Sequence, residues 1–184
     1  MSEIKSICVY CGSSNGKGDE YVKGAKILGR EIAKAEMRLV YGGGSAGLMG
    51  AVADAVLENG GDVTGIIPQF LVDVEGEHNG VGELIITKDM HERKWAMFEK
   101  SDAFVALPGG IGTLEELIEI MTWAQLERHK KPIIIANFDG YWNNLKALLT
   151  HMDNENFIHS TQNLNPIFVD EAKDILPAIL QAGG

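Results

Sequence analysis

The chain of 184 residues is long enough to bury a sizeable core without disulfide staples, and we expect one domain over residues 1–184. Sixteen Lys and Arg against 26 Asp and Glu give a formal net charge of −10, which argues against a nucleic-acid polymer or an anionic membrane as a partner. No apolar run is as long as a signal peptide or a membrane span requires, so the expected location is cytoplasmic.

Short apolar runs alternate with helical patterns along the chain. Strands are predicted at SICVY, RLVYG, DVTGII, ELIIT, AFVAL, PIIIAN and PIFV, and helices at 19–36, 47–59, 90–100, 112–126, 140–152 and 171–181. Strands of this apolar kind are buried on both faces, and the intervening helices make right-handed crossovers. We therefore expect a Rossmann-like, doubly wound, mostly parallel sheet in a three-layer α/β/α domain. The connection at 68–82 is long enough to suggest a function.

Glycine-rich segments follow three of the predicted strands: CGSSNG, GGGSAGLMG and PGGIGT. In an open parallel sheet, ligands bind beyond the carboxyl ends of the strands, so these three loops should converge on one edge. Gly12, Ser13, Gly43 and Gly44 are candidate ligand contacts on that basis.

The segment GGGSAG satisfies the dinucleotide pattern G-x-G-x-x-G at Gly42, Gly44 and Gly47. The acidic residue that would bind a ribose about twenty positions later is Asp62. Asp62 begins the following strand rather than ending it, so it lies at the wrong edge of the sheet. We expect no NAD and no other cofactor, and a tight turn with close helix–sheet packing explains these glycines.

The two cysteines form CVYC, which has the spacing of a redox-active pair. Cys8 lies within a predicted strand, where an offset of three residues points Cys8 and Cys11 to opposite faces, so we expect two small buried residues. A zinc site would need two more ligands, and the five histidines show no ligand spacing such as H-E-x-x-H. We expect no metal site.

The stretch PGGIGTLEE at 108–116 opens a predicted helix directly after the strand AFVAL. Backbone N–H groups and the helix dipole attract an anion at such a position, which makes it a candidate phosphate site. Two glutamates follow within one turn, and a carboxylate about 6 Å from a phosphate would be repelled by roughly 3 kcal/mol. One explanation is a capping box, in which Thr113 caps the helix and Glu116 returns to the backbone N–H of Thr113.

The segment MHERKWAMF predicts a helix with Met90 and Met97 on one face and Arg93 and Lys94 between them. Two adjacent cations on an apolar face indicate an anionic ligand, since a core-facing stripe would carry apolar residues. The alternative is that both charges reach water past the apolar surface that their stems cover. A capping box at Glu116 would leave this cationic pair without a partner.

In this order, the segments CGSS, VYGGGSAGLMG, GIIP, MHERK, SDAFVALPGGIGTLEEL and TWAQLERHKKP resemble the LOG ("Lonely guy") family of cytokinin riboside 5′-monophosphate phosphoribohydrolases. The resemblance runs from about residue 6 to about residue 142, and MHERK followed by PGGIGTLEE is the signature pair. It implies hydrolysis of the N-glycosidic bond of an adenosine 5′-monophosphate, with or without an N6 substituent. The base, a cytokinin or adenine, and ribose 5-phosphate are released. The label lysine decarboxylase, which the family often carries, is not supported by these motifs.

The resemblance also implies roles for individual residues. Arg93 and Glu116 would be catalytic: the carboxylate would stabilise an oxocarbenium-like sugar and position or deprotonate the attacking water. Arg93 would offset the repulsion between that carboxylate and the phosphate. The implied substrate contacts are Glu75, Lys94, Gly110, Ile111, Gly112, Thr113, Leu114, Glu115 and Thr122.

The alternative function is a non-hydrolytic binder on the same scaffold, such as a molybdenum-cofactor carrier or a nucleotide-sensing module. It would need the phosphate-binding glycines but no Arg–Glu pair. The presence of both Arg93 and Glu116 favours the enzyme.

A homodimer with active sites near its interface is expected, because the helix at 112–126 has a wider apolar surface than one sheet contact needs. Trp95 and Phe98 of the helix at 90–100 would add to that interface. The apolar residues of the helix at 112–126 are Leu114, Leu117, Ile118, Met121 and Ala124 on one side and Ile120, Trp123 and Leu126 further round.

Overall fold

The computed structural model describes residues 4–76, 78–158 and 166–183. Strands and helices alternate through these ranges, as the sequence pattern predicts. Short 3-10 turns at Phe138–Gly140 and Ala172–Asp174 precede the last two helices. In chain order the elements are β1 (Ser6–Tyr10), α1 (Asp19–Lys34), β2 (Arg38–Tyr41), α2 (Gly47–Glu58), β3 (Val63–Pro68), α3 (Gln69–Glu75), β4 (Glu83–Thr87), α4 (Met90–Glu99), β5 (Ala103–Ala106), α5 (Ile111–Gln125), β6 (Ile133–Ala136), α6 (Asn143–Asn154), β7 (Ile167–Val169) and α7 (Ile175–Gly183).

The strands form one parallel sheet in the order β4-β3-β2-β1-β5-β6-β7. The direction of winding reverses at β1, because β2 to β4 follow on one side of it and β5 to β7 on the other. In such sheets a crevice forms outside the carboxyl ends of the strands at this switch point. β1 and β5 are those strands, and a glycine-rich loop follows each of them. The predicted doubly wound α/β fold is confirmed.

Helices cover both faces of the sheet, and each face has its own apolar core. α1, α2 and α7 pack on one face, where Leu28 and Val52 are buried. α4, α5 and α6 pack on the other, where Met97, Leu117 and Leu145 are buried. The inner strands are covered on both sides, and β5 and β6 accordingly have unbroken apolar sequences. The expectation of burial on both faces is wrong for the edge strand β4, where Glu83 and Ile86 are exposed. Among the described residues, no helix combines the length and the apolar composition that crossing a bilayer requires.

The two cysteines belong to different cores. Cys8 lies in the core on the α4–α6 face and Cys11 in the core on the α1–α2 face, as the three-residue offset predicts. Both thiols are free and buried, and burial raises the pKa of each far above its usual range. A thiol held protonated in this way is a poor nucleophile. The prediction of two small buried residues is confirmed.

The connection at 68–82, predicted as a loop, contains the helix α3. This helix has seven residues, too few to show a clear 3.6-residue pattern. It lies between Pro68 and Gly76, which are residues typical of loops. The segment therefore has a defined surface that the sequence did not indicate.

The starts of α6 and α7 also differ from the prediction. α6 begins at Asn143 rather than at residue 140, because Gly140 has a φ of 71° and therefore lacks a helical backbone. α7 begins at Ile175 rather than at residue 171, after a 3-10 turn. Neither shift alters the carboxyl edge of β1 and β5.

The apolar residues that α5 buries and exposes differ in part from those expected. The helix buries Leu117, Ile120, Met121 and Ala124. Ile120 was expected on the outer side, and Ile118, expected beside Leu117, is 39% exposed. Positions 117, 120, 121 and 124 form one stripe of a 3.6-residue helix, so the outer surface carries Ile118 instead.

Candidate active site

The three glycine-rich loops converge, as predicted, and hydrogen bonds join them. The backbone N–H of Gly12 in the first loop donates to the carbonyl of Pro108 in the third (3.1 Å). The carbonyl of Gly12 accepts from the backbone N–H of Leu48, which follows the second loop (3.0 Å). Gly47 has a φ of 62°, and a Cβ there would overlap the backbone of Ser13 and Ser14. Close backbone packing therefore explains this glycine, as the sequence suggested.

A cavity of about 370 Å³ opens at this edge, beside the carboxyl ends of β1 and β5. The second glycine loop contributes Gly42 to its lining rather than Gly43 or Gly44. Nine of the predicted site residues line it: Gly12, Ser13, Arg93, Gly110, Ile111, Gly112, Thr113, Glu115 and Glu116.

Arg93 is a buried cation with fixed partners. It lies in the first turns of α4, whose start is capped by the Asp89 side chain, and it is 8% exposed. Its Nε donates to the carbonyl of Ile66 (3.0 Å) and its Nη2 to the carbonyl of Gly42 (3.2 Å). The alternative that this side chain reaches water is wrong for Arg93, because sheet-edge carbonyls hold its guanidinium inside the protein.

Gly42 is required by this arginine. A Cβ added at residue 42 would overlap Nη2 of Arg93. The first glycine of the apparent dinucleotide pattern therefore makes room for a buried guanidinium and allows its carbonyl to accept a hydrogen bond from it.

Glu116 faces Arg93 from α5. Its Oε1 lies 3.6 Å from Nη1 of Arg93, and its side chain is 11% exposed. Burial raises the pKa of Glu116 from 4.5 to about 7, although the Arg93 cation lowers it in part. The sequence had brought these two residues together only through the family resemblance. The structure places them side by side at the cavity.

The capping-box explanation of Thr113 and Glu116 is wrong. α5 is capped by Gly110, which has an extended backbone (φ −91°, ψ −155°), so the helix begins at Ile111. Thr113 is then the third helical residue and Glu116 the sixth, too far along to be the partner of a cap. The glycine pair before the helix allows the helix to begin before Thr113. Thr113 packs closely on Gly109, and a Cβ added at Gly109 would overlap the hydroxyl of Thr113.

This early start leaves backbone donors at the cavity. The N–H of Leu114 donates to the carbonyl of Gly110 (3.0 Å), whereas the N–H groups of residues 111–113 have no acceptor within the helix. No side chain caps the helix. Ile111 and Gly112 are exposed and line the cavity. The helix dipole and these donors together favour an anion at this end of the cavity.

Lys94 has partners of its own. Its Nζ lies 2.6 Å from Oε1 of Glu115 and 3.0 Å from Oε1 of Glu119. Burial lowers its pKa, but the two carboxylates raise it by more, so Lys94 is a firmly charged cation. The expectation of an unpaired Arg93–Lys94 pair is therefore wrong. Lys94 connects α4 to α5 and partly offsets the charge of Glu115, which lines the cavity.

Three further predicted contacts, Lys94, Leu114 and Thr122, are not among the residues that line the described cavity. Thr122 is exposed on α5, where its hydroxyl donates to the carbonyl of Ile118 (2.7 Å). Leu114 is half-buried against the core of the α4–α6 face. Glu75 is the last residue of α3, and its side chain lies outside the described part of the structure.

An apolar wall completes the cavity. It is formed by Met49, Leu71, Met90 and Met97. The spacing of Met90 and Met97 in α4 placed both on one helix face, and that face borders the cavity. The sequence did not indicate Leu71 as a site residue, because α3 was predicted as a loop. Within the described residues, no group of three or more His, Cys, Asp or Glu is arranged to hold a metal ion.

Comparison with known sequences identifies relatives over nearly the whole chain. A family model described as "Possible lysine decarboxylase" matches residues 49–179. The cytokinin riboside 5′-monophosphate phosphoribohydrolase LOG5 of Arabidopsis thaliana is 47% identical over 175 residues, which cover 95% of this chain and 77% of the relative. A cytokinin riboside 5′-monophosphate phosphoribohydrolase of Rhodococcoides fascians is 42% identical over 176 residues, covering 95% of this chain and 89% of the relative.

Solved structures share the fold at lower identity. The Moco carrier protein of Chlamydomonas reinhardtii superposes with a TM-score of 0.75 and 21% identity over 98% of each chain. The molybdenum cofactor binding protein of Rippkaea orientalis gives a TM-score of 0.73 and 22% identity over 98% of each chain. Likeness at this level of identity establishes the common architecture and carries no information about the ligand.

Proposed function

Since the chain belongs to the LOG family of cytokinin riboside 5′-monophosphate phosphoribohydrolases, we propose that its cavity hydrolyses the N-glycosidic bond of an adenosine 5′-monophosphate. The products are the free base and ribose 5-phosphate. The observation that carries this proposal is the buried Arg93–Glu116 pair beside the free amide groups of α5. A non-hydrolytic carrier would need the amide groups to bind its ligand but would not need the buried Arg93–Glu116 pair.

The 5′-phosphate would bind the backbone N–H groups of residues 111–113. The net charge of −10 does not oppose this, because the donors and the helix dipole act locally and Lys94 partly offsets the charge of Glu115 nearby. Thr113 and Glu116 are three residues apart on α5, so the carboxylate lies roughly 4.5 Å further along the helix. The ribose of a bound nucleotide would then lie beside Glu116.

Cleavage breaks the bond between C1′ and the base nitrogen, and the electron pair leaves with the base. Positive charge develops on the sugar, and the Glu116 carboxylate stabilises it. The oxygen of a water molecule forms the new bond to C1′, and Glu116 accepts the proton that this water loses. A pKa of about 7 suits this group to accept a proton and to release it to the base at neutral pH.

Arg93 supplies a cation that does not have to move. Two of its nitrogens donate to the carbonyls of Ile66 and Gly42, and a third faces Glu116. In the ground state it offsets the repulsion between Glu116 and the phosphate. A charge that is held in place before the reaction costs no reorganisation when the transition state forms.

The base would lie against the apolar wall of Met49, Leu71, Met90 and Met97. Methionine side chains are flexible and polarisable, and they adapt to an aromatic ring and to substituents on it. The candidate substrates are therefore AMP and its N6-substituted derivatives.

Decarboxylation of lysine fits the site poorly. A pyridoxal enzyme needs a lysine that forms a Schiff base, and this requires a neutral amine at some stage. Lys94 is held by two carboxylates that raise its pKa, so it stays charged. No lysine, Lys94 included, is among the residues that line the described cavity.

We also propose a homodimer and a cytoplasmic location. Trp95 is 50% exposed on α4 and Ile118 is 39% exposed on α5, and Leu126, the residue that follows α5, is 64% exposed. A second copy of the chain would remove this apolar surface from water. Because α4 and α5 carry Arg93 and Glu116 on their inner sides, the interface would lie close to the cavity.

The decisive experiment incubates the protein with AMP, N6-isopentenyladenosine monophosphate, the two unphosphorylated nucleosides and L-lysine. Chromatography then measures the free base, ribose 5-phosphate and the amine that decarboxylation of lysine would leave. We expect base and ribose 5-phosphate in equal amounts from a monophosphate and no decarboxylation. Binding of the monophosphates without release of base would instead support the carrier function.

A further inference from the structure

A polar cluster outside the cavity centres on His78. The ring Nε2 lies 2.9 Å from Oδ1 of Asp54, and the ring Nδ1 accepts from the backbone N–H of Gly80 (3.1 Å). The backbone N–H of His78 donates to the carbonyl of Gly43 (3.0 Å). Because Nδ1 accepts, the proton of the neutral ring is on Nε2 and is donated to Asp54. We call these four residues the His78 clamp.

The clamp joins three parts of the chain. Asp54 lies on α2, which begins at the end of the second glycine loop. Gly43 lies within that loop, next to Gly42, whose carbonyl accepts from Arg93. His78 itself follows α3, whose Leu71 forms part of the cavity wall. His78 therefore links these parts: its backbone N–H contacts the glycine loop beside the Gly42 carbonyl, and its ring fixes the residue that follows α3 to α2.

The segment that the clamp holds is rich in glycine. Gly76 has a φ of 74°, and Gly80 and Gly82 follow before β4 begins. Glycine backbones lose more conformational entropy on ordering than other residues, so such a connection needs specific contacts to stay in one place. The His78 side chain is only 12% exposed, so the ring is packed against the protein, whereas its partner Asp54 is 57% exposed and in contact with water.

We propose that His78, held by Asp54, is a positioning residue for the reaction described above, on which this inference rests. It keeps α3 and the following connection against the second glycine loop and so keeps one wall of the cavity in place. His78 and Asp54 are not among the residues that line the described cavity. Arg93 also keeps its contacts with Ile66 and Glu116 without the clamp. Loss of the clamp should therefore weaken substrate binding far more than it slows the chemical step.

The test compares His78→Ala, Asp54→Ala and the double variant in AMP hydrolysis. We expect each single variant to raise KM about tenfold with kcat within about threefold of the wild type, since uniform binding is lost. The double variant should be no worse than either single variant, because both remove the same contact. Asp54→Asn retains an acceptor for Nε2–H and should restore KM to within about twofold of the wild-type value.

His151→Ala and Asp153→Ala, on the exposed surface of α6, are matched controls that should leave both constants unchanged. Circular dichroism and thermal unfolding confirm that each variant is folded; Asp54 is 57% exposed, so its replacement tests the clamp even if His78→Ala unfolds. An unchanged KM in Asp54→Ala, or effects that multiply in the double variant, would overturn the proposal.

Calorimetry of AMP binding on the same variants separates this inference from the proposed function. If the wild type binds AMP without cleaving it, the hydrolase is refuted, whereas a tenfold rise in Kd in both single variants still supports the clamp. If the wild type cleaves AMP and neither KM nor Kd changes in the variants, the clamp alone is refuted. If the wild type neither binds nor cleaves AMP, both proposals are overturned.

Discussion

Arg93 and Glu116 form a buried pair whose closest atoms, Nη1 and Oε1, are 3.6 Å apart, with side chains 9% and 11% exposed. This is too far for a strong hydrogen bond, so the cation only partly compensates the burial of the carboxylate. The pKa of Glu116 is consequently about 7, and the charge of the site changes near neutral pH.

Replacement of the carboxylate should separate chemistry from binding. We expect Glu116→Gln to lower kcat by a factor on the order of 10² or more, because the amide can neither take a proton nor stabilise the developing sugar cation. AMP should bind with equal or higher affinity, since the repulsion of the phosphate is gone. Chromatography of released base and calorimetry of AMP binding measure the two effects. Glu58→Gln, on the exposed end of α2, is the control.

Replacement of Arg93 should impair both catalysis and AMP binding. In Arg93→Ala, the carbonyls of Gly42 and Ile66 lose a donor and Glu116 is left without a neighbouring cation. We expect a comparable loss of rate together with weaker AMP binding and a lower unfolding temperature. Wild-type affinity for AMP in this variant would contradict the role assigned to Arg93.

The stability of the protein should depend on the protonation of Glu116. Its pKa is raised on folding from 4.5 to about 7, so the folded state holds a proton that the unfolded state releases. This contribution is fully present below pH 4.5, is lost as the pH rises through about 7, and amounts to about 3 kcal/mol. Urea unfolding at pH 5 and pH 8 should show this loss in the wild type and not in Glu116→Gln. Equal pH dependence in the two proteins would refute it.

The amide groups of α5 should discriminate nucleotides from nucleosides. Ile111→Pro removes one N–H at the first helical position, where proline is well tolerated and the preceding Gly110 is extended. We expect AMP binding to weaken at least tenfold, because one charge-assisted hydrogen bond to the phosphate is lost. Ile111→Ala keeps the N–H and removes a side chain that is 83% exposed, so its affinity should match the wild type. Calorimetry with AMP and adenosine measures the difference.

The outer surfaces of α4 and α5 should mediate dimerisation. Light scattering at micromolar concentration is expected to give twice the 20.0 kDa of one chain. Trp95→Glu places a charge in the apolar surface and should yield a monomer. Leu148→Glu is the control, because Leu148 is similarly exposed (48%) but lies on α6. A monomeric wild type would contradict the dimer.

Much of this architecture can be predicted from local sequence. The inner strands β5 and β6 are unbroken apolar runs because they are buried on both faces, and the order of strands and helices allows few topologies. The glycine loops then had to meet at one edge. Arg93 could be singled out because a cation between Met90 and Met97 contradicts the apolar pattern of its helix face.

The details that the sequence did not predict depend on contacts between distant segments. The partners of Lys94 lie 21 and 25 positions away on α5, and only the side-by-side packing of the two helices brings them together. The pattern from Thr113 to Glu116 matched a capping box, but the flexible glycine backbone before it allowed the helix to start earlier. A local motif predicted the right helix and the wrong first residue.

Gly42 and Arg93 are 51 positions apart in sequence, and the guanidinium occupies the space in which residue 42 would carry a side chain. A substitution at either position therefore changes which residues the other position tolerates. Once Arg93 is lost, the remaining close neighbour of a Cβ at residue 42 is the sulfur of Met49 at 3.1 Å. Because the methionine side chain is flexible and can shift, alanine or serine at residue 42 becomes permissible. Across proteins that share this scaffold, we expect the two positions to covary, and a side chain at residue 42 to identify members that have abandoned the arginine and the hydrolysis that depends on it.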